Sequence, residues 1–488
     1  MTTMAQPLIG ASSKVVNWEA IDWRPIEQQV KRLQMRIAKA TREGRWGKVH
    51  ALQWLLTHVY SAKLLAVRRV TRNAGRHTPG VDGIVWKSAS QKLEAARSLQ
   101  RRSYRPQPLR RLYIPKKNGK RRPLGIPVMR DRATQALHLM GLEPVAEMQA
   151  DPNTYGFRPK RCAADAIEQC FKALCRKQSA PWILEGDIKA CFDQISHDWL
   201  EQHIPMDKTI LRKWLAAGYM EEGIVYPTQA GTPQGGIASP TLARMTLDGL
   251  EGVAHAAALH NQTNVIIYAD DFVITGASKE VLEKQVKPAV QAFLSERGLQ
   301  LCAQKTHITH IDDGFDFLGF NVRKYGGKLL IKPAKAAVKS FLEKIRTWIK
   351  ANPTAKTDNL IWQLNRKLRG WANYYRHVVS KKTFSYIDHQ VFRALTAWIK
   401  RRHPNKSEHW KKHRYYRCEG MRQWVFFAKI RDAQGHSPSL IYSRRIAYRL
   451  PATSRFKLKP VLTIPTSWII LHGVQCHLVL IPIMFGKV

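Results

Sequence analysis

Residues 264–276 read Asn-Val-Ile-Ile-Tyr-Ala-Asp-Asp-Phe-Val-Ile-Thr-Gly. Two short apolar runs, 265–268 and 272–274, flank an acidic pair, which predicts a β-hairpin with Asp270 and Asp271 at its turn. Adjacent carboxylates repel each other and are costly to desolvate unless a cation sits beside them. That favours a divalent metal; Mg²⁺ in particular takes one or two protein carboxylates and fills its remaining positions with water and substrate phosphate. A solvent-facing Asp-Asp turn is the simpler alternative, because Asp is a common turn residue whatever the function.

A third carboxylate occupies a matching context. Residues 182–192 read Trp-Ile-Leu-Glu-Gly-Asp-Ile-Lys-Ala-Cys-Phe, a second strand signal with Asp187 at its end. One acid on a strand beside a hairpin carrying two can hold a pair of metal ions about 4 Å apart, an arrangement that serves in-line displacement at phosphorus. The Tyr-Ala-Asp-Asp box at 268–271 and the Asp-Ile-Lys-x-x-Phe string at 187–192 resemble the catalytic motifs of the reverse transcriptase palm. The Thr-Pro-Gln-Gly-x-x-x-Ser-Pro string at 232–240 lies between them, in the order of that family. Its glycines permit close backbone approach to a ligand, and the Gln234 amide can hydrogen-bond a base or sugar. A helix opens near Thr241.

The chain has 488 residues, enough for two or three domains, and a formal charge of +44 from 80 Lys plus Arg against 36 Asp plus Glu. Such a polycation calls for a polyanion, with nucleic acid the natural partner and an anionic membrane surface the alternative. Basic residues run from Lys31 to Lys459, which argues for a long binding surface rather than a detachable tail. The seven cysteines form no Cys-x-x-Cys pair, so neither a zinc site nor a disulfide framework is indicated and a reducing compartment is the simplest reading. No secretory signal is evident at the N-terminus.

Residues 1–15 are small and polar, and flexibility is expected there. From Trp23 to Arg72 apolar residues recur at three- and four-residue steps, predicting basic helices. A Gly/Pro-rich loop at 72–83 follows and resembles the segment that precedes the fingers in group II intron reverse transcriptases, where it contacts template RNA. Residues 112–117 followed by Asn118-Gly119 give a two-residue hairpin signal with a second strand over 124–128. Eight Lys or Arg lie between 105 and 122, suited to a triphosphate or to a nucleic-acid backbone. Resemblance to reverse transcriptase fingers points to Arg122 with Lys116 or Lys117 as nucleotide ligands, and to Phe192 as the ring under the sugar that excludes a ribose 2′-hydroxyl. Tyr155-Gly-Phe-Arg-Pro resembles a further motif of that family. A helix is expected from Ala163 to Cys175, with Cys162, Cys170 and Cys175 packed as small apolar groups.

Beyond the hairpin, 279–298 reads as an amphipathic helix closed by Gly298, then a short strand at 299–303. Lys305 occupies the position of the family's lysine beside the leaving phosphate, as proton donor or as charge. Residues 315–320, Phe-Asp-Phe-Leu-Gly-Phe, resemble the primer-gripping turn. Past 335 the periodicity is helical. In 364–375, Leu-Asn-Arg-Lys-Leu-Arg-Gly-Trp-Ala-Asn-Tyr-Tyr, cations interleave with aromatics, as suits phosphate contact plus base stacking. That string resembles the maturase domain of group II intron-encoded proteins and implies RNA contacts by Arg366, Lys367, Arg369, Trp371, Tyr374, Tyr375 and Arg376; 398, 409–412 and 423–427 continue the resemblance.

The resemblance covers roughly 60–450 and implies an α+β fold: right-hand polymerase fingers and palm with an antiparallel palm sheet, then an α-helical thumb and maturase domain. The expected divisions are a basic helical extension (1–75), fingers and palm (76–325), thumb and maturase (326–450) and a divergent apolar tail (451–488). Relatives often continue into a DNA-binding segment and a His-Asn-His nuclease, and neither pattern is present. Instead 460–486 is uncharged and long enough for a membrane span, although Pro465, Pro482, His472, Gln475 and His477 weaken that reading. The implied cofactor is a pair of Mg²⁺ ions, replaceable by Mn²⁺, held by Asp187, Asp270 and Asp271. The implied partners are group II intron RNA, an RNA template, a DNA primer or target and deoxynucleoside triphosphates, in a bacterial cytoplasmic ribonucleoprotein. An RNA-binding splicing factor with lapsed polymerase activity and a bacterial reverse transcriptase without an intron are the alternatives; the intact acids argue against the first and the 364–375 string against the second.

Overall fold

The computed structural model describes residues 17–115, 119, 121–258, 262–419, 422–430 and 439–442. These fall into two compact units. One runs to Leu318 and includes Arg323–Leu329; the other comprises Gly319–Val322 and the chain from Leu330 onward.

The first unit begins with helices α1 (Trp23–Arg42), α2 (Trp46–His58) and α3 (Tyr60–Arg72), as the periodicity predicts. Asp22 caps α1 by accepting from the Arg24 amide at 3.0 Å. Their apolar stripes, among them Val30, Ile37, Leu56 and Val67, are buried with Ala133, Leu137 and Met140 of α5 (Met129–Gln149), so the basic extension shares a core with the polymerase-like region. Between α3 and α5 lie α4 (Ala89–Ser98) and the hairpin strands β1 (Leu109–Pro115) and β2 (Arg121–Ile126). That hairpin pairs Pro115 with Arg121, leaving five residues between the paired ends. Of the expected Asn118-Gly119 turn, Asn118 lies outside the described residues, and Gly119 has φ +77°, the left-handed region that glycine takes readily. β4 (Tyr219–Glu221) and β5 (Ile224–Tyr226) complete a sheet of order β2-β1-β4-β5.

The second sheet has the order β6-β7-β3-β8, from β3 (Trp182–Asp187), β6 (Val265–Tyr268), β7 (Asp271–Gly276) and β8 (His307–His310). All its pairings are antiparallel. β7 is buried on both faces from Phe272 to Gly276, which is why its sequence is a continuous apolar run rather than an alternation. Leu184, Ile267 and Phe272 pack with Leu242 and Phe293 in the main core. Two expectations are corrected here. Residues 299–303 form no strand; the pairing is an isolated bridge between Ile188 and Leu301. The 279–298 helix is interrupted by a π-helical turn over Leu282–Val286, and Gly298 at φ +74° lies beyond its end.

In the second unit, helices Lys335–Ala351, Thr357–Tyr375, Lys381–Arg402 and Glu408–Tyr415 bury Leu342, Leu364, Leu368, Ile387 and Trp398. The Trp398 indole donates to the Asn352 carbonyl at 2.8 Å, satisfying its one polar atom. This unit is not wholly helical as expected: Tyr416–Glu419, Arg422–Ile430 and Ser439–Tyr442 form a three-stranded antiparallel sheet. The aromatic cluster Trp-Val-Phe-Phe at 424–427 has high strand propensity, and resemblance to a helical domain masks it. The uncharged stretch at 460–486 and residues 1–15 lie outside the described residues. Among the described residues no helix is long and apolar enough to cross a membrane.

Candidate catalytic site and RNA-binding surface

The turn of the β6–β7 hairpin is Ala269-Asp270, with Ala269 at φ +59°, so Asp270 sits in the turn and Asp271 opens β7. Antiparallel pairing aligns Asp271 with Tyr268 on one side and with Asp187 on the other. The backbone of Asp270 joins the cluster, its carbonyl accepting from the Ile188 amide at 3.1 Å. Three acids separated by 83 residues thus meet at one end of the sheet because a β-ladder makes opposite residues neighbours.

Gly156 makes this packing possible. A Cβ there would lie 2.8 Å from both the Ala269 Cα and the Tyr268 carbonyl carbon, and closer still to the Ala269 amide nitrogen. Hydrogen bonds from the Tyr155 amide to the Ile267 carbonyl (2.8 Å) and from the Ile267 amide to the Asn153 carbonyl (3.0 Å) hold that segment against the hairpin.

The electrostatics are those of an acidic cluster short of positive charge. Burial, then the charges of Asp270 and Asp187 and a hydrogen bond with the Asp187 carboxyl, push Asp271 up to about 7. Burial also raises Asp270, with Asp187 adding to the effect and Arg122 and Lys305 opposing it. Lys305 Nζ lies 2.6 Å from Asp187 Oδ2, and that bond raises the lysine. Lys305 therefore supplies part of the positive charge the acids require. Among the described residues no three acidic, imidazole or thiol groups are spaced to ligate an ion unaided. A few carboxylates completed by phosphate and water is the donor set Mg²⁺ prefers, so the residues present fit that ion.

The residues expected to face a nucleotide are brought to the acids unevenly. Arg122 is near enough to Asp270 to affect its charge. Lys116 and Lys117 lie outside the described residues. Phe192 and Asp270 line one small hollow, and Phe157 stands edge-on to Phe192 at 5.6 Å. Phe157, exposed and at φ +58°, is a neighbour that the motif's spelling does not single out. Gln234 does not present its whole amide to a ligand: its nitrogen donates to both oxygens of Asp193 at 3.2 and 3.3 Å. Sequence reasoning misses Asp193 because nothing in 187–193 marks which distant amide it holds. Of the three cysteines expected to be packed, only Cys170 is buried; Cys162 is exposed and Cys175 half-buried.

The maturase-like helix Thr357–Tyr375 separates its side chains by helical period. Arg366, Lys367, Arg369 and the following Arg376 are exposed. Leu364, Leu368 and Tyr375 form the buried stripe. Tyr375, expected to contact RNA, is buried here: its hydroxyl donates to the Gly319 carbonyl at 3.2 Å and its ring packs on Phe320. Trp371 stacks on Phe341 at 5.0 Å and Tyr374 lies against Phe320 at 5.1 Å, so both rings are half-committed to the same cluster. The exposed indole on this helix is Trp362, with the Arg366 guanidinium 4.6 Å over its ring. Its position four residues before Arg366 is the signal that could have found it.

Residues 18–99 match the N-terminal domain of reverse transcriptase, 114–322 match the reverse transcriptase (RNA-dependent DNA polymerase) family, and 338–416 match the group II intron maturase-specific domain. Protein YkfC of Escherichia coli is 32% identical over 300 residues, covering 52% of this chain and 78% of that protein. The chain belongs to the group II intron-encoded reverse transcriptase–maturase family. The group II intron-encoded protein LtrA of Lactococcus lactis is 29% identical over 409 residues, covering 64% of this chain and 68% of that protein. An uncharacterized 91 kDa protein in the cob intron of Schizosaccharomyces pombe is 27% identical, covering 66% and 50%. This reverse transcriptase–maturase is an RNA-directed DNA polymerase with a domain for intron RNA, and its reverse transcriptase family uses divalent metal.

Proposed function

We propose that Asp187, Asp270 and Asp271 hold two Mg²⁺ ions, for which Mn²⁺ can substitute, and that the reaction is attack of a DNA primer 3′-hydroxyl on the α-phosphorus of a deoxynucleoside triphosphate paired to an RNA template. Held there, the metal would supply activation of the 3′-hydroxyl and charge neutralisation at the triphosphate. Arg122, with Lys116 or Lys117, binds the triphosphate and offsets charge passing to the leaving pyrophosphate. Phe192 closes the space beneath the sugar and favours the deoxy form. Gln234, steadied by Asp193, keeps its amide oxygen for the incoming nucleotide. Lys305 exchanges Asp187 for the leaving phosphate, to which it offers charge and a proton. On the maturase helix, Arg366, Lys367, Arg369 and Arg376 take intron phosphates, while Trp371 and Tyr374 support them from the half-buried side. The intron RNA is held in a bacterial cytoplasmic ribonucleoprotein and supplies the splicing chemistry itself.

The observation that carries the catalytic reading is the β3–β7 register, which sets Asp187 directly opposite Asp271 with Asp270 in the adjoining turn. Asp270→Asn tests it: extension of a DNA primer on an RNA template should be abolished with intron RNA binding retained. Extension that survives the substitution refutes the site.

A further inference from the structure

A cavity of about 430 Å³ opens in the first unit between α2, the start of α3, the segment following α4, and α5. It shares no residue with the hollow that Asp270 and Phe192 line. Leu99 and Leu137 make its floor apolar. Trp54 and His58 stand at its wall with their rings stacked, centroids 4.1 Å apart and planes within 24°. Trp54 is 58% exposed, the largest such fraction among the described tryptophans of this unit, although an indole gains most from being covered.

Three cations line the same cavity: Lys63, Arg101 and Arg102. Arg101 is already balanced by an ion pair with Asp207, which also caps the following helix by accepting from the Ile210 amide. Lys63 is different. Burial lowers its pKa, and no carboxylate among the described residues offsets that cost. A half-buried ammonium without an anion, beside a stacked aromatic pair and over an apolar floor, is the complement of a ligand that is flat and aromatic at one end and anionic at the other.

We propose that this cavity binds one nucleotide, its base stacked on the Trp54–His58 pair and its phosphate against Lys63 and Arg102. The cavity has the size of small-ligand sites, and stacking on an exposed indole serves any base. An unpaired nucleotide of a bound RNA and a free mononucleotide share this chemistry, and competition separates them.

The test uses the full chain and photolabelling with 8-azidoadenosine 5′-monophosphate, with labelled peptides mapped by mass spectrometry. Label is expected within 46–63 or 99–102. Trp54→Ala should reduce it about five-fold or more, as removal of one base-stacking ring would, with primer extension unchanged. Lys63→Gln with Arg102→Gln provides a second variant that leaves the aromatic pair intact, and it too should lose label. Competition by a short oligoadenylate at far lower concentration than adenosine monophosphate assigns the site to RNA, and equal competition assigns it to a free nucleotide; either supports the proposal. Absence of label from these segments, or label unaffected by both variants in protein of unchanged melting temperature, overturns it.

Discussion

Gly156→Ala is the sharpest probe of how the three proposed catalytic acids are placed, because the atoms nearest an added Cβ belong to the hairpin backbone at Tyr268 and Ala269 and not to the acids' side chains. The added methyl would lie 2.8 Å from two backbone carbons of the hairpin turn, where ordinary contact begins at 3.4 Å, and nearer still to the Ala269 nitrogen. Every obstructing atom is backbone, so no rotamer change relieves the overlap. The 153–156 segment is tied to Ile267 by hydrogen bonds in both directions, so retreat on that side forfeits bonds worth about 0.5–1.5 kcal/mol each. The hairpin turn must then yield by roughly an ångström and carry Asp270 away from Asp187, and misplacement on that scale costs on the order of 100-fold in rate. We expect kcat/KM for primer extension to fall by about that factor, with intron RNA affinity unchanged and a loss of about 1–3 kcal/mol in stability. Gly370→Ala, where a Cβ meets nothing within 4 Å inside a helix, serves as the control and should be neutral or slightly stabilising. Gly156→Ala that retains extension within about three-fold of the wild type would refute the argument, because the methyl would have been accommodated without moving the turn.

On the maturase helix, Arg366→Ala with Arg369→Ala should weaken intron RNA binding and flatten its salt dependence. On a duplex the log–log slope should fall by about 0.9 for each phosphate the protein no longer neutralises, read from binding isotherms across a salt series; an unchanged slope rejects the assignment. A pH effect is expected at His138, whose ring stands edge-on to Trp214 at 5.7 Å and whose pKa burial pushes down to about 4. Because that lies below the ordinary 6.5, the unfolded chain binds the proton first. The stability is intact above about 6.5 and is lost as pH falls toward 4. His138→Leu should therefore lose less melting temperature than the wild type between pH 7 and pH 5, and parallel curves for the two proteins would exclude the effect.

Much of the site is legible from residues 182–192 and 264–276, because strand propensity and the placement of an acid at a strand end are local properties. The helices of 23–72 and of 357–375 are legible for the same reason, since a repeat of 3.6 shows in any short window. The strand at Arg422–Ile430 is equally local and is obscured only because its surroundings resemble a helical domain.

What the chain's order of residues determined alone is which groups are available: three carboxylates, a lysine, a cationic hairpin and a basic helix with rings along it. The tertiary structure decided which of them meet. A strand's partner and register depend on residues far along the chain, so only the folded sheet sets Asp187 opposite Asp271, lays Lys305 on Asp187 and gives the Gln234 amide to Asp193. It likewise turned Tyr375 inward, since which face of an amphipathic helix is covered depends on what packs against it, and here Phe320 does.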